Sequence, residues 1–119
     1  MIQTLTVTGV TVTVPVRNVA AAREWYARLL GHGPELEPAP DVVEFELFGE
    51  VWLQLLESHA NAGTAILRIG VSDLEAQREV VASAGVDVGD IEQVEDVIKF
   101  CDFRDPDGNL FSLVEVLAG

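Results

Sequence analysis

Positive charge is scarce in this chain. Seven Lys and Arg face twenty Asp and Glu, leaving a formal net charge of −13 at pH 7. A surface of that sign repels nucleic acid and anionic lipid and favours cationic partners, beside its service to solubility. Cysteine is nearly absent. Cys101 stands alone, so no intrachain disulfide can form, and beside Phe100 and Phe103 it reads as a small core residue. No apolar run approaches the ~20 residues of a membrane helix. No basic segment leads into an apolar one as in a signal peptide, so the expectation is a cytosolic protein without a membrane partner. Catalytic signatures are missing too: there is no nucleophile elbow, Walker loop or Cys–His pair. The two histidines, His32 and His59, fall in predicted loops.

What remains is a chain of 119 residues, 49% hydrophobic, which fits one domain over 1–119 with a real core. VTVTVPV (10–16) alternates strictly and predicts a strand with Val10, Val12, Val14 and Val16 on one face. Asn18 then caps a predicted helix whose apolar positions are Val19, Ala22, Trp25, Tyr26, Leu29 and Leu30, stopped by Gly31. Prolines 34, 38 and 40 mark loops. VVEFELF (42–48) and EVWLQLLE (50–57) read as strands joined at Gly49.

The second half repeats this plan. AILRIGV (65–71) is a strand, Ser72 and Glu75 match a capping box, and a helix runs from Leu74 to Gly85. Strands are expected at Val86–Val88, near Val97–Phe103 and near Leu110–Leu117. Val71 lies 55 residues after Val16, so the chain reads as repeat one over about 5–60 and repeat two over about 61–119. The expected fold is α+β: two βαβββ repeats forming a curved, half-barrel-like sheet of eight strands, with the helices on the outer face. One helix covers only one face of its sheet. Residues that point away from the helices therefore line a cavity.

VPVRNVAAAREWYARLLG, VWLQLLE, VSDLEAQREVVASAG and FRDPDGNLFSLVE, in that order and at that offset, resemble the vicinal oxygen chelate superfamily of glyoxalase I, extradiol dioxygenases, fosfomycin-modifying enzymes and bleomycin-binding proteins. The resemblance covers nearly the whole chain and speaks to fold more than to activity. DPDG also has a reading of its own. Pro106 suits the second position of a type I turn and Gly108 the left-handed position after it, which assigns Asp105 and Asp107 a structural job.

Metal-using members of that superfamily place one His, Gln or Glu on each of four strands. Carried over by spacing, those positions are Thr11, Gln54, Ile66 and Ser112. Isoleucine has no donor, neutral hydroxyls are poor ligands, and one amide cannot hold an ion against water. The expectation is no metal and no cofactor. Glu115 has the wrong parity to join the set.

The cavity should be lined by Thr11, Thr13, Trp52, Gln54, Leu56, Ile66, Arg68, Leu110, Ser112 and Val114, with Arg68 able to hold an anionic group. An apolar lining, a few polar groups and an aromatic plate suit a small planar molecule. The acidic surface adds a preference for cations, as in metal-free members of the superfamily that sequester cationic drugs. The leading expectation is a bleomycin-resistance-like binding protein for a cationic or aromatic antibiotic or metabolite. The alternative is a metal-free isomerase, cyclase or lyase, and a third class is an interaction domain with a collapsed cavity. The resemblance also implies a homodimer, in which Thr11 and Gln54 of one chain face Ile66 and Ser112 of the other.

Overall fold

The computed structural model describes residues 2–117; residue 1 and residues 118 and 119, the ends of the expected domain, lie outside them. Ten elements follow in order: β1 (Val10–Val16), α1 (Val19–Leu30), β2 (Leu36–Ala39), β3 (Val42–Phe48), β4 (Val51–Glu57), β5 (Ile66–Gly70), α2 (Leu74–Ser83), β6 (Glu92–Val94), β7 (Ile98–Arg104) and β8 (Leu110–Val116). Among the described residues the strands form two four-stranded sheets, ordered β1-β4-β3-β2 and β5-β8-β7-β6, and no closed barrel. In each sheet the leading strand pairs parallel with the last, and the helix and the two intervening strands make up the long connection that a parallel pair requires. The α+β fold of two βαβββ units read from the repeat is the fold observed.

Alternation decides the faces. Val14 and Val16 of β1, Leu53 and Leu55 of β4, and Leu67, Phe103, Phe111 and Leu113 of the second sheet are buried with Tyr26, Leu74 and Val81 from the helices. The helices thus cover one face of each sheet, and the intervening residues point away. α1 begins at Asn18, whose Oδ1 accepts from the Ala21 amide, and ends at Gly31 in the left-handed region (φ 82°). The last strand of each unit also tends its helix. Glu57 Oε1 accepts from the Val19 amide at 3.0 Å, and Glu115 Oε1 accepts from the Leu74 amide at 2.8 Å. Each places a carboxylate at a positive helix end.

Three local expectations are corrected. The cap of α2 is Asp73, which accepts from the Ala76 amide, so Ser72 and Glu75 form no capping box. Val86–Val88 is not a strand. Val88 makes one isolated bridge to Phe103, and the edge strand is the exposed, polar Glu92–Val94, which carries no alternation to read. The proline-marked segment holds β2 with Pro38 inside it. An edge strand with a register shift tolerates the missing donor.

A buried clasp ties the two units together. Asn109 is fully buried: its Nδ2 donates to Pro15 O at 2.9 Å and to Asp105 Oδ2 at 2.8 Å, and its Oδ1 accepts from the Ala65 amide at 2.9 Å. The Tyr26 hydroxyl donates to the same Asp105 Oδ2 at 2.6 Å. Asp105 Oδ1 accepts from the amides of Asp107 and Asn109, which shapes the turn. Burial, then the hydrogen bond to Asp105, then the charges of Asp105 and Asp107 raise the Tyr26 hydroxyl well above the ordinary tyrosine range.

A group whose folded-state pKa is raised stabilises fully below its unfolded value, about 10 for tyrosine, and loses that contribution as pH rises beyond it. Denaturation midpoints measured from pH 8 to 11 should show the gap between wild type and Tyr26→Phe narrowing above about pH 10. The Cys101 thiol, pushed up by burial, and the Lys99 ammonium, raised by its hydrogen bond to Glu75, drift the same way in both proteins and cancel in the comparison. A constant gap would show that the hydroxyl is not held protonated.

Candidate functional site

The faces turned away from the helices carry three cross-strand rows apiece. On the first sheet they are Thr11–Trp52–Glu46, Thr13–Gln54–Glu44 and Pro15–Leu56–Val42. On the second they are Ile66–Leu110–Arg104, Arg68–Ser112–Asp102 and Gly70–Val114–Phe100. Each row recurs 55 residues on along the leading strand and 58 on along the other two, as 13 to 68, 54 to 112 and 44 to 102 show. All ten expected cavity residues lie on these two faces.

The middle row of the first sheet is a hydrogen-bonded chain. Thr13 Oγ1 donates to Gln54 Oε1 at 3.0 Å, and Gln54 Nε2 donates to Glu44 Oε2 at 2.9 Å. This fixes the amide orientation and holds the Glu44 carboxylate in place. Trp52, half-buried, sits between exposed Thr11 and exposed Glu46. The first sheet therefore offers an aromatic surface with a carboxylate beside it and another one row away. Glu44 and Glu46 were legible in VVEFELF, because they alternate with Val43, Phe45 and Leu47; a search confined to metal-ligand positions passes over them.

On the second sheet the register of β7 is settled by its pairing with β8, which sets Asp102 opposite Ser112 and Phe100 opposite Val114. Ile66 is 78% exposed and Val114 only 4%, so one expected lining residue stands out in solvent and another is packed away between Gly70 and Phe100. A hollow of about 630 Å³ lies elsewhere, on the helix side between the units, among Leu29, Leu53, Val80, Phe103 and Phe111. Of the expected set only Ile66 and Arg68 line it. Apart from Arg68, which borders the hollow from β5, the polar rows lie on the two open sheet faces and not in that hollow.

The four metal-ligand positions do not fit a divalent ion. Thr11 is opposite Trp52 and not Gln54, the Gln54 amide is engaged at both ends, and Ile66 supplies no donor. Asp73, Glu75 and Glu115 form a carboxylate group elsewhere, at the start of α2. Lys99 Nζ binds Glu75 there, with Glu115 Oε2 at 3.9 Å, and Glu115 also caps the helix. The Lys99 hydrogen bond keeps the Glu75 carboxyl below its usual range. His32 and His59 are both exposed and outside the rows, and His32 is paired with Glu35.

The model of a glyoxalase-like domain matches residues 11–114. No curated protein sequence gives a match. Among solved structures, the chain is similar to a glyoxalase/bleomycin resistance protein from Catenulispora acidiphila, with 27% identity over 92% of this chain and 99% of that one and a TM-score of 0.83. It is also similar to TnmS3, an antibiotic binding protein from Streptomyces sp. CB03234, with 20% identity over 96% and 99% and a TM-score of 0.82. A third is a bleomycin resistance determinant encoded on the transposon Tn5, with 18% identity over 92% and 98% and a TM-score of 0.75. At such identities the last two speak to the fold alone.

Proposed function

This chain belongs to the glyoxalase-like domain family, and on that premise we propose that it is a metal-independent binding protein that sequesters a cationic or aromatic antibiotic or metabolite. The observation that carries the reading is the first sheet's open face. Trp52 offers a stacking surface, Glu44 and Glu46 offer charge for a cation, and Gln54, the one amide among the four metal-ligand positions, is engaged by Thr13 and Glu44. An aromatic face with carboxylates close by attracts cationic aromatic molecules through stacking and Coulomb attraction together. The neighbour at 27% identity, named as a glyoxalase/bleomycin resistance protein, supports the class of ligand.

Titration of a panel of cationic and neutral aromatic drugs, followed by tryptophan fluorescence, tests this. Cationic members should bind more tightly, and their advantage should shrink as salt is raised past 0.15 M, where charges are screened over about 8 Å. Trp52→Ala should weaken binding by roughly 1–3 kcal/mol through lost apolar contact. Equal binding of both classes at every salt concentration would remove the cation from the reading. The rival reading, a metal-free isomerase, cyclase or lyase, rests on Glu44 as a positioned base, and turnover abolished by Glu44→Gln would favour it.

We propose further that two copies pair, so that the open face of one unit meets that of the other unit across a two-fold axis, and that the protein works in the cytosol. The radius of gyration is 15.6 Å, against about 13.5 Å for a compact chain of this length. Apolar side chains stand exposed at Ile2, Leu5, Val7, Phe48, Ile66 and Val80, and β1 and β5 are both edge strands. With like charges repelling, the interface should be apolar and its carboxylates should lie at the rim. Sedimentation at micromolar concentration should give about twice the 12.9 kDa chain mass. A monomer at that concentration would contradict the pairing.

A further inference from the structure

The two middle rows are equivalent in the repeat, yet only one is satisfied. On the first sheet Thr13, Gln54 and Glu44 hydrogen-bond one another. On the second, the equivalent residues Arg68, Ser112 and Asp102 make no side-chain hydrogen bond among the described residues. Six of the seven cations have a partner. Arg17, Arg23, Arg78 and Lys99 pair with carboxylates, while Arg28 and Arg104 donate to backbone carbonyls. Arg68 is the one cation left without a partner among the described residues, in a chain with twenty acidic groups. On the same row the half-buried Asp102 has one buried carboxylate oxygen, Oδ1, without a hydrogen-bond partner among the described residues. A buried acceptor without a donor is costly, and a native protein that keeps one commonly uses it.

The geometry points to a subsite for a dipolar group, an ammonium beside a carboxylate, with Asp102 taking the ammonium and Arg68 the carboxylate. Ser112 lies between them on the central strand, where its hydroxyl can donate to the carboxylate or accept from the ammonium. Strands are spaced by about 4.8 Å, so Arg68 and Asp102 have Cα atoms about 9–10 Å apart. After the reach of the two side chains, the space left suits charges on the same or adjacent carbons, as in an α-amino acid. Arginine binds a carboxylate through two parallel hydrogen bonds, which a single ammonium could not imitate. The proposal rests on the reading of the open faces as a ligand cleft and narrows its ligand class. The aromatic body stacks on Trp52, and the dipolar end is read by the second sheet.

Three probes with a common phenyl ring separate the possibilities: L-phenylalanine is dipolar, phenethylamine carries only the cation, and 3-phenylpropionate only the anion. Calorimetric titration should show L-phenylalanine binding at least tenfold more tightly than either of the others. Arg68→Gln should bring L-phenylalanine down to the affinity of phenethylamine and leave phenethylamine unchanged. Asp102→Asn should do the mirror image, leaving 3-phenylpropionate unchanged. Trp52→Ala should weaken all three alike. If phenethylamine binds as tightly as L-phenylalanine and still depends on Trp52, the dipolar subsite is wrong and the cation-binding cleft stands. If none of the three binds while the cationic drugs do, the dipolar subsite is wrong and the cleft stands; if no drug binds either, or if Trp52→Ala changes nothing, both readings fall.

Discussion

Asn109→Ala should cost about 3–4 kcal/mol of folding stability, a large share of the 5–15 kcal/mol of a typical domain. The substitution removes a fully buried amide: the Ala65 amide loses its partner, while Pro15 O keeps only the Gly63 amide and Asp105 Oδ2 only the Tyr26 hydroxyl. The orphaned amide costs about 1–3 kcal/mol, less whatever water recovers, and each of the other two lost hydrogen bonds about 0.5–1.5 kcal/mol. The consequence reaches beyond the turn, because Pro15 closes β1 of the first unit while Ala65 opens the second. The same residue therefore sets how the two sheet faces are held relative to each other. Tyr26→Phe removes one donor from the same carboxylate and should cost less, about 1–2 kcal/mol. Urea denaturation of both variants measures the order. An Asn109→Ala protein within 1 kcal/mol of wild type would mean that the Asn109 clasp does little to hold the two units together.

Gly63→Ala should cost about 3 kcal/mol. Gly63 lies in the segment between the two units with φ 84°, where an L side chain is strained by about 1–2 kcal/mol. A Cβ built there would stand 2.2 Å from Asp107 O, a backbone atom of the DPDG turn, so either the linker or the turn must move. Gly33→Ala is the control, because a Cβ there meets nothing within 4 Å and the change should stay within about 0.5 kcal/mol. Gly63→Ala and Asn109→Ala both loosen the contact between linker and turn, so the double variant should lose less than the two separate losses combined. Full additivity would show the two contacts to be independent.

The fold was legible because its signals were redundant. Strict alternation in VTVTVPV, the Asn18 cap, the Gly31 stop and the 55-residue offset all point to one repeat. The misread pieces lacked such support. Glu92–Val94 is exposed at every position and has no buried face to betray it, and Pro38 looks like a loop residue because nothing local says that its strand is an edge. The site was half legible. Parity placed Thr13, Trp52 and Gln54 together on one sheet face and Arg68 and Ser112 together on the other, as the strand pairing has them. It could not reveal that Gln54 is locked between Thr13 and Glu44, nor that Asp102 shares a row with Arg68. Those facts depend on register across strands far apart in sequence, which periodicity within one strand does not carry.

The most direct test of metal-independent capture on the Trp52 face is one calorimetric series with protein stripped by chelator and checked by elemental analysis. The cationic aromatic member of the drug panel that binds untreated protein most tightly is titrated into stripped wild type, stripped protein with zinc restored, and stripped Trp52→Ala. The predicted result is the same affinity with and without zinc, and a loss of at least fivefold in Trp52→Ala. Binding that vanishes on stripping and returns with zinc, or that is unchanged in Trp52→Ala, would contradict the account.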